Sequence, residues 1–197
     1  MTTIIAFGLL ASCDAVGVLQ TNDPAKKLSY ARLLLRDERP LPAERLINES
    51  MEIYQSRGDR RGLADAQYLY AKLLAGNAVA LLESWYRENG FRDSTVTFEK
   101  RREGAVRYFQ LAATGFVTAG DFADATNAYF DLGLIQSNDG HSESACRSFN
   151  ESLRNFNIYL QTDPNPQVRP PKGYDSYKDL VETAATAAGC PDEGETE

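Results

Sequence analysis

The chain has 197 residues, 43% of them hydrophobic and 25% charged, the balance of a globular protein rather than of a chain too polar to collapse. That length suffices for one domain with a sizeable core. A net charge of −7 and a pI near 4.9 argue against a nucleic-acid partner, which calls for a basic stripe, and three cysteines are too few for a disulfide-built scaffold.

Residues 1–13 form an uncharged, mostly apolar run that ends in small residues before a cysteine. It is shorter than the ~18 residues needed to cross a bilayer and has the shape of a signal-peptide core. Leu10-Ala11-Ser12-Cys13 resembles the lipobox of bacterial lipoproteins, although no Lys or Arg precedes it. The resemblance implies removal of residues 1–12, acylation of Cys13 and a tether over residues 13–22. Asp14 is similar to the sorting residue that retains enterobacterial lipoproteins in the inner membrane. The implied address is the bacterial cell envelope, facing the periplasm, with more than one acyl chain securing the anchor. The alternative is a cytosolic protein whose apolar N-terminus docks on its own core.

Asp23-Pro24 reads as a helix start, an N-cap acceptor followed by proline at the first helical position. Leu28, Ala31, Leu34 and Leu35 then recur at helical spacing as far as Arg36. The prolines of Arg39-Pro40-Leu41-Pro42 predict a turn, with a second helix from about Ala43 to Arg57. Gly58-Asp59 closes it, and a third helix is expected from about Arg61 to Ala75. A fourth is expected over Ala78 to Glu88 with Leu81, Leu82 and Trp85 inward. Asp93 or Ser94 is then expected to cap a helix that continues through Lys100-Arg101-Arg102.

From Ala105 to Leu153 the small residues Ala, Gly and Ser alternate with Tyr, Phe and Leu around the turns Gly120-Asp121 and Gly140-His141. Ala64-Asp65-Ala66-Gln67-Tyr68-Leu69-Tyr70 also parallels Ala123-Asp124-Ala125-Thr126-Asn127-Ala128-Tyr129, with three extra residues after the first glycine turn. This reads as an internal repeat covering roughly 43–75 and 105–137. The order Tyr129, Leu132-Gly133, Gly140, Ala145, Phe149, Ser152 resembles the tetratricopeptide superfamily, and Ala105 to Ala113 is similar to a Sel1-type repeat. The resemblance spans about residues 24–160. It implies an all-α short solenoid of antiparallel helical hairpins over residues 23–160, finished by a C-terminal capping helix. That helix is expected over residues 174–189, behind a proline-rich linker at 161–173 and before an acidic tail at 190–197.

No nucleotide-binding, nucleophile-elbow or metal-spaced motif is present, and the lone histidine, His141, follows a turn glycine. The expectation is therefore a non-catalytic scaffold with no cofactor and no metal, and a cell-wall-active enzyme is the less favoured reading. The expected partner is a protein or peptide in the envelope. Candidate contacts are Tyr68, Tyr70, Trp85, Tyr108 and Tyr129, each of which also fits a core position. Lys100, Arg101 and Arg102 read either as a solvated face or as a patch for an acidic partner or anionic lipid. If Cys13 is lipidated, Cys146 and Cys190 remain in an oxidising compartment. There they form either a disulfide that clamps the last helix or two free thiols.

Overall fold

The structure, a computed structural model, describes residues 20–166 and 172–191. The expected signal peptide, Cys13, Asp14, most of the tether, the middle of the linker and the acidic tail after Pro191 lie outside these residues. Every regular element among the described residues is a helix. None of these helices is long and apolar enough to cross a membrane.

Helix α1 (Pro24–Arg36) starts where predicted, with the Asp23 carboxylate accepting from the backbone N–H groups of Ala25 and Lys26. Helix α2 (Pro40–Arg57) starts earlier than predicted. Pro40 and Pro42 occupy its first turn, where an N–H has no intrahelical acceptor and a proline costs nothing. Helix α3 (Arg60–Ala75) follows at once, with the Asp59 side chain capping Gly62 N–H.

The segment after α3 departs most from expectation. In place of one helix there are two, α4 (Asn77–Leu81) and α5 (Glu83–Asn89), broken at Leu82. Leu81 is 68% exposed and Trp85 39% exposed, so neither points inward as predicted. Val79 and Tyr86 are buried in their place, Leu82 between them is half-buried against the core as expected, and Tyr86 stacks on Phe91 with ring centroids 4.3 Å apart. Residues 90–100 are not helical, because Asp93 binds Thr95, Arg107 and Tyr108 rather than capping a helix. Helix α6 (Arg101–Ala119) thus begins inside the basic cluster.

Helices α7 (Phe122–Asn138) and α8 (Ser142–Thr162) follow, and α8 absorbs the first two residues expected in the linker. Helix α9 (Tyr177–Ala187) is capped by Ser176 Oγ, which accepts from Asp179 N–H. Gly58, Gly120 and Gly140 end their helices at φ of +65°, +75° and +79°, a conformation that costs glycine little. After each, the next N–H reaches back to a helix carbonyl: Asp59 to Tyr54, Asp121 to Phe116 and His141 to Gln136, at 3.0, 2.9 and 2.8 Å.

Each of α1, α2, α3, α6, α7, α8 and α9 packs on the next in that order, with α4 and α5 inserted between α3 and α6. Polar bridges tie α1 to α3 and α3 to α7, and Tyr177 ties α9 to α7, so these four helices form one layer. Helices α2, α6 and α8 pack behind it, α2 on α1 and α3, α6 on α3 and α7, and α8 on α7 and α9.

The hairpins α1/α2, α3/α6 and α7/α8 carry corresponding buried positions. Ala31, Ala71 and Gly133 match on the first helices; Ala43, Ala105 and Ala145, then Ile47, Phe109 and Phe149, then Ser50, Ala112 and Ser152 match on the second. Ser50 Oγ donates to Pro24 O at 3.2 Å, and Ser152 Oγ donates to Thr126 O at 2.9 Å, the same bond in the first and third hairpins. Tyr68 packs against Phe109 and Phe116 much as Phe130 packs against Phe149. The predicted three-residue insertion in the first copy is absent, since α3 and α7 each begin directly after their capping Asp59 and Asp121. Three residues is nearly one helical turn, so the displaced alignment still matched similar faces.

Close approach explains the small residues. A Cβ on Gly133 would lie 2.5 Å from the Phe149 ring, and one on Gly115 would lie 2.8 Å from Ala64 Cβ. Both distances are shorter than carbon atoms tolerate.

Candidate functional site

The α1–α3–α7 face carries two adjoining hollows that share Lys72 and Gly76. The larger, about 550 Å³, lies between α1, α3 and the start of α4, with Leu35, Tyr68, Leu69 and Leu73 in its lining and Arg32, Arg36 and Glu38 on the α1 side. The smaller, about 240 Å³, continues towards α7 over Phe109, Leu134 and Ile135, beside Arg102 and Asp131. Together they form a groove with an apolar lining and a charged rim.

The rim is organised by ion pairs between helices of this layer. Arg32 of α1 pairs with Asp65 of α3. Asp131 of α7 accepts from Tyr68 Oη at 2.6 Å and from Lys72 Nζ at 2.9 Å, both on α3. Lys72 also lies 5.4 Å from the Tyr68 ring centroid. Burial, with the Asp131 charge beside it, pushes the Tyr68 hydroxyl far above the ordinary range, which keeps it a donor to Asp131. At the other end of α3, Arg61 bridges Asp121, the N-cap of α7, and Asp124 within α7 at 2.8 and 2.9 Å.

Two of the predicted contact residues, Tyr68 and Arg102, line the groove. The others lie elsewhere. Tyr70 is buried against Glu44, and Trp85 stands on α5 with its ring edge to Tyr86. Tyr108 is half-buried, its hydroxyl donating to Asp93 at 2.9 Å, and burial together with that bond pushes its pKa up to about 12. Tyr129 lines a separate cleft with Gln110, Gln136 and Arg147.

The basic run does not form one patch. Lys100 is exposed, Arg101 lies over the Phe98 ring at 4.5 Å, and Arg102 Nε donates to Asp139 at 2.5 Å. Sequence reasoning missed Arg32, Leu35, Lys72, Asp131 and Leu134. Asp65, Tyr68 and Lys72 on α3, like Asp124 and Asp131 on α7, form polar stripes at helical spacing within otherwise amphipathic helices. Those stripes were the available signal.

A second polar cluster fastens the insert between α3 and α6. Glu44 of α2 is only 2% exposed, and its Oε1 accepts from Tyr70 Oη at 3.0 Å and from Arg92 N–H at 2.7 Å. Tyr86 approaches the same carboxyl group, with its buried hydroxyl outside hydrogen-bond geometry of any partner. Burial raises the Glu44 pKa, against the lowering pull of the Arg92 N–H and the Tyr70 hydroxyl.

The structure joins Cys146 of α8 to Cys190, just past α9, in a disulfide with a Cα–Cα distance of 5.5 Å. His141 is exposed at the N-cap of α8. Among the described residues no group of three or more His, Cys, Asp or Glu side chains is placed to hold a metal ion. Comparisons with protein-family models, curated proteins and solved structures find no match to this chain.

Proposed function

We propose that the chain is a non-catalytic helical-repeat adaptor of the tetratricopeptide kind, lipid-anchored in the bacterial cell envelope, that holds a protein or peptide partner in the α1–α3–α7 groove. The observation that carries this reading is the groove itself: Leu35, Leu69, Leu73 and Leu134 lie between rims of paired charges contributed by three successive helices of one layer. A site built across three helices positions a ligand along the stack, and apolar lining with polar rims is how such surfaces gain affinity and register. The recurrence of Ala, a large apolar residue and a small residue through α2, α6 and α8 supports the repeat assignment. The lipobox-like Leu10 to Cys13 and the Cys146–Cys190 disulfide support an extracytoplasmic address, since disulfides persist in oxidising compartments.

The test places a photoreactive side chain at Leu134 in the groove and, as a control, at exposed Leu111 on α6, in cells that make the full chain. A discrete adduct from position 134, absent from position 111 and lost when Asp131→Arg breaks the rim, is the expected result. Equal labelling from both positions would overturn the groove assignment. The address is tested separately by intact mass and fractionation with and without Cys13→Ala. A membrane-bound, acylated chain beginning at Cys13, lost in the variant, is expected.

A further inference from the structure

Helix α9 is held at two points. At its start the Tyr177 ring packs against Phe156 and Phe130, with centroids 4.7 and 6.1 Å apart, and its hydroxyl lies 2.8 Å from Ser152 Oγ. At its end Cys190 is bonded to Cys146 of α8. Between these points Val181 is the only residue of α9 that is fully buried, and Ala188 is buried just beyond the helix. The helix has 11 residues, below the ~12–15 at which an isolated helix becomes even marginal in water. No other described helix packs on its outer side, whereas α3 and α7 are each clasped between two neighbours. Its seat is rich in large apolar groups: Phe130, Phe149, Leu153 and Phe156.

We infer that the Cys146–Cys190 disulfide is a redox latch, and that reducing it releases α9 from the α7/α8 seat while α1 to α8 stay folded. The reductant is a dithiol. One of its thiolates attacks a sulfur of the disulfide and forms a mixed disulfide while the other cysteine leaves as a thiolate. The second thiol of the reductant resolves the mixed disulfide, leaving two cysteine thiols on the chain and an oxidised, cyclic reductant. Reduction leaves the Tyr177 contacts and the single buried Val181 to hold α9, and the lost constraint is that of a loop closed between residues 44 apart in sequence. The switch exposes the aromatic seat without disturbing the α1–α3–α7 groove, so it operates whether or not that groove holds a partner.

The experiment compares hydrogen exchange of the full chain, oxidised and after treatment with dithiothreitol, in the absence of denaturant. Amides of residues 177–188 are expected to exchange on the order of 1,000-fold faster after reduction, the scale of the removed loop constraint, with those of α3 and α6 unchanged. A hydrophobic dye should bind only the reduced protein. Unchanged exchange in α9 would overturn the latch, and so would equal loss of protection in every helix, which would make the disulfide a global staple. Cys190→Ser, assayed without reductant, should reproduce the reduced pattern. An oxidised-like pattern in that variant would also overturn the inference.

Discussion

Hairpins α3/α6 and α7/α8 share a packing frame and differ in how their helices are joined. In α7/α8 the connection is the tight turn at Asp139, Gly140 and His141; in α3/α6 it is the whole of residues 76–100, with two short helices and a non-helical stretch. Both hairpins still present Ala, Phe and a small residue in the same order, Ala105-Phe109-Ala112 and Ala145-Phe149-Ser152. The difference shows that the frame is carried by the helix faces and not by the link between them. A long insert is tolerated when its own backbone and side chains find dedicated partners, here Glu44 for Arg92 N–H and Asp93 for Thr95, Arg107 and Tyr108.

The strongest test of equivalence is to remove the same large residue from both frames. Phe109→Ala and Phe149→Ala should each destabilise the protein by about 3–5 kcal/mol, the cost of emptying a buried aromatic site. Denaturant titration of the two variants measures this. Costs differing by more than a factor of two would show that the hairpins do not share a frame.

Asp93→Ala should separate the insert from the stack. Burial pushes the Asp93 carboxyl up, but hydrogen bonds from Thr95 and Tyr108 and the charge of Arg107 outweigh it and hold its pKa below the ordinary value. A carboxylate depressed on folding contributes stability above its unfolded pKa, near 3.9, and that contribution is lost as the pH falls through the folded value. The variant should therefore lose about 1–3 kcal/mol at neutral pH, and the gap to the native protein should close in strong acid. Proteolysis should cut first within residues 83–100, and initial cutting elsewhere would remove Asp93 as the fastening point.

How much of this was legible follows the same division. The glycine turns, the start of α1 and the helix pairs depend on residues close in sequence, and local pattern was enough for them. The insert depends on Glu44, which lies some 48 residues before Arg92, and no local periodicity announces that partnership. Hence Leu81 and Trp85 read as core when Val79 and Tyr86 hold those places. The groove was hidden for a related reason. Arg32, Lys72 and Asp131 share a face only once α1, α3 and α7 are known to lie in one layer, and the insert obscures that frame. Gly58→Ala and Gly120→Ala probe the legible part: each should cost about 1–2 kcal/mol, because alanine resists positive φ. Matching losses in thermal melts would show that the two turns are equivalent, and a loss at only one of them would break that equivalence.

The smallest expected effect is the most discriminating, because it reverses sign. Glu44 is a buried carboxyl whose pKa burial raises, so its ionised form costs stability. That cost is absent below the unfolded pKa, near 4.3, and appears as the pH rises through the higher folded value. Glu44→Gln keeps a carbonyl oxygen to accept from Tyr70 and Arg92 N–H. It also adds an amide donor beside the Tyr86 hydroxyl, which otherwise has no hydrogen-bond partner. The variant should be more stable than the native protein at neutral pH by about 1 kcal/mol, roughly 2–4 °C in Tm, with the advantage shrinking towards pH 4. Asp93→Ala loses stability at neutral pH and Glu44→Gln gains it, although both carboxylates fasten the same insert. If Glu44→Gln is instead less stable at pH 7, the site requires the negative charge, and the nearby Arg92 guanidinium becomes the group that requires it.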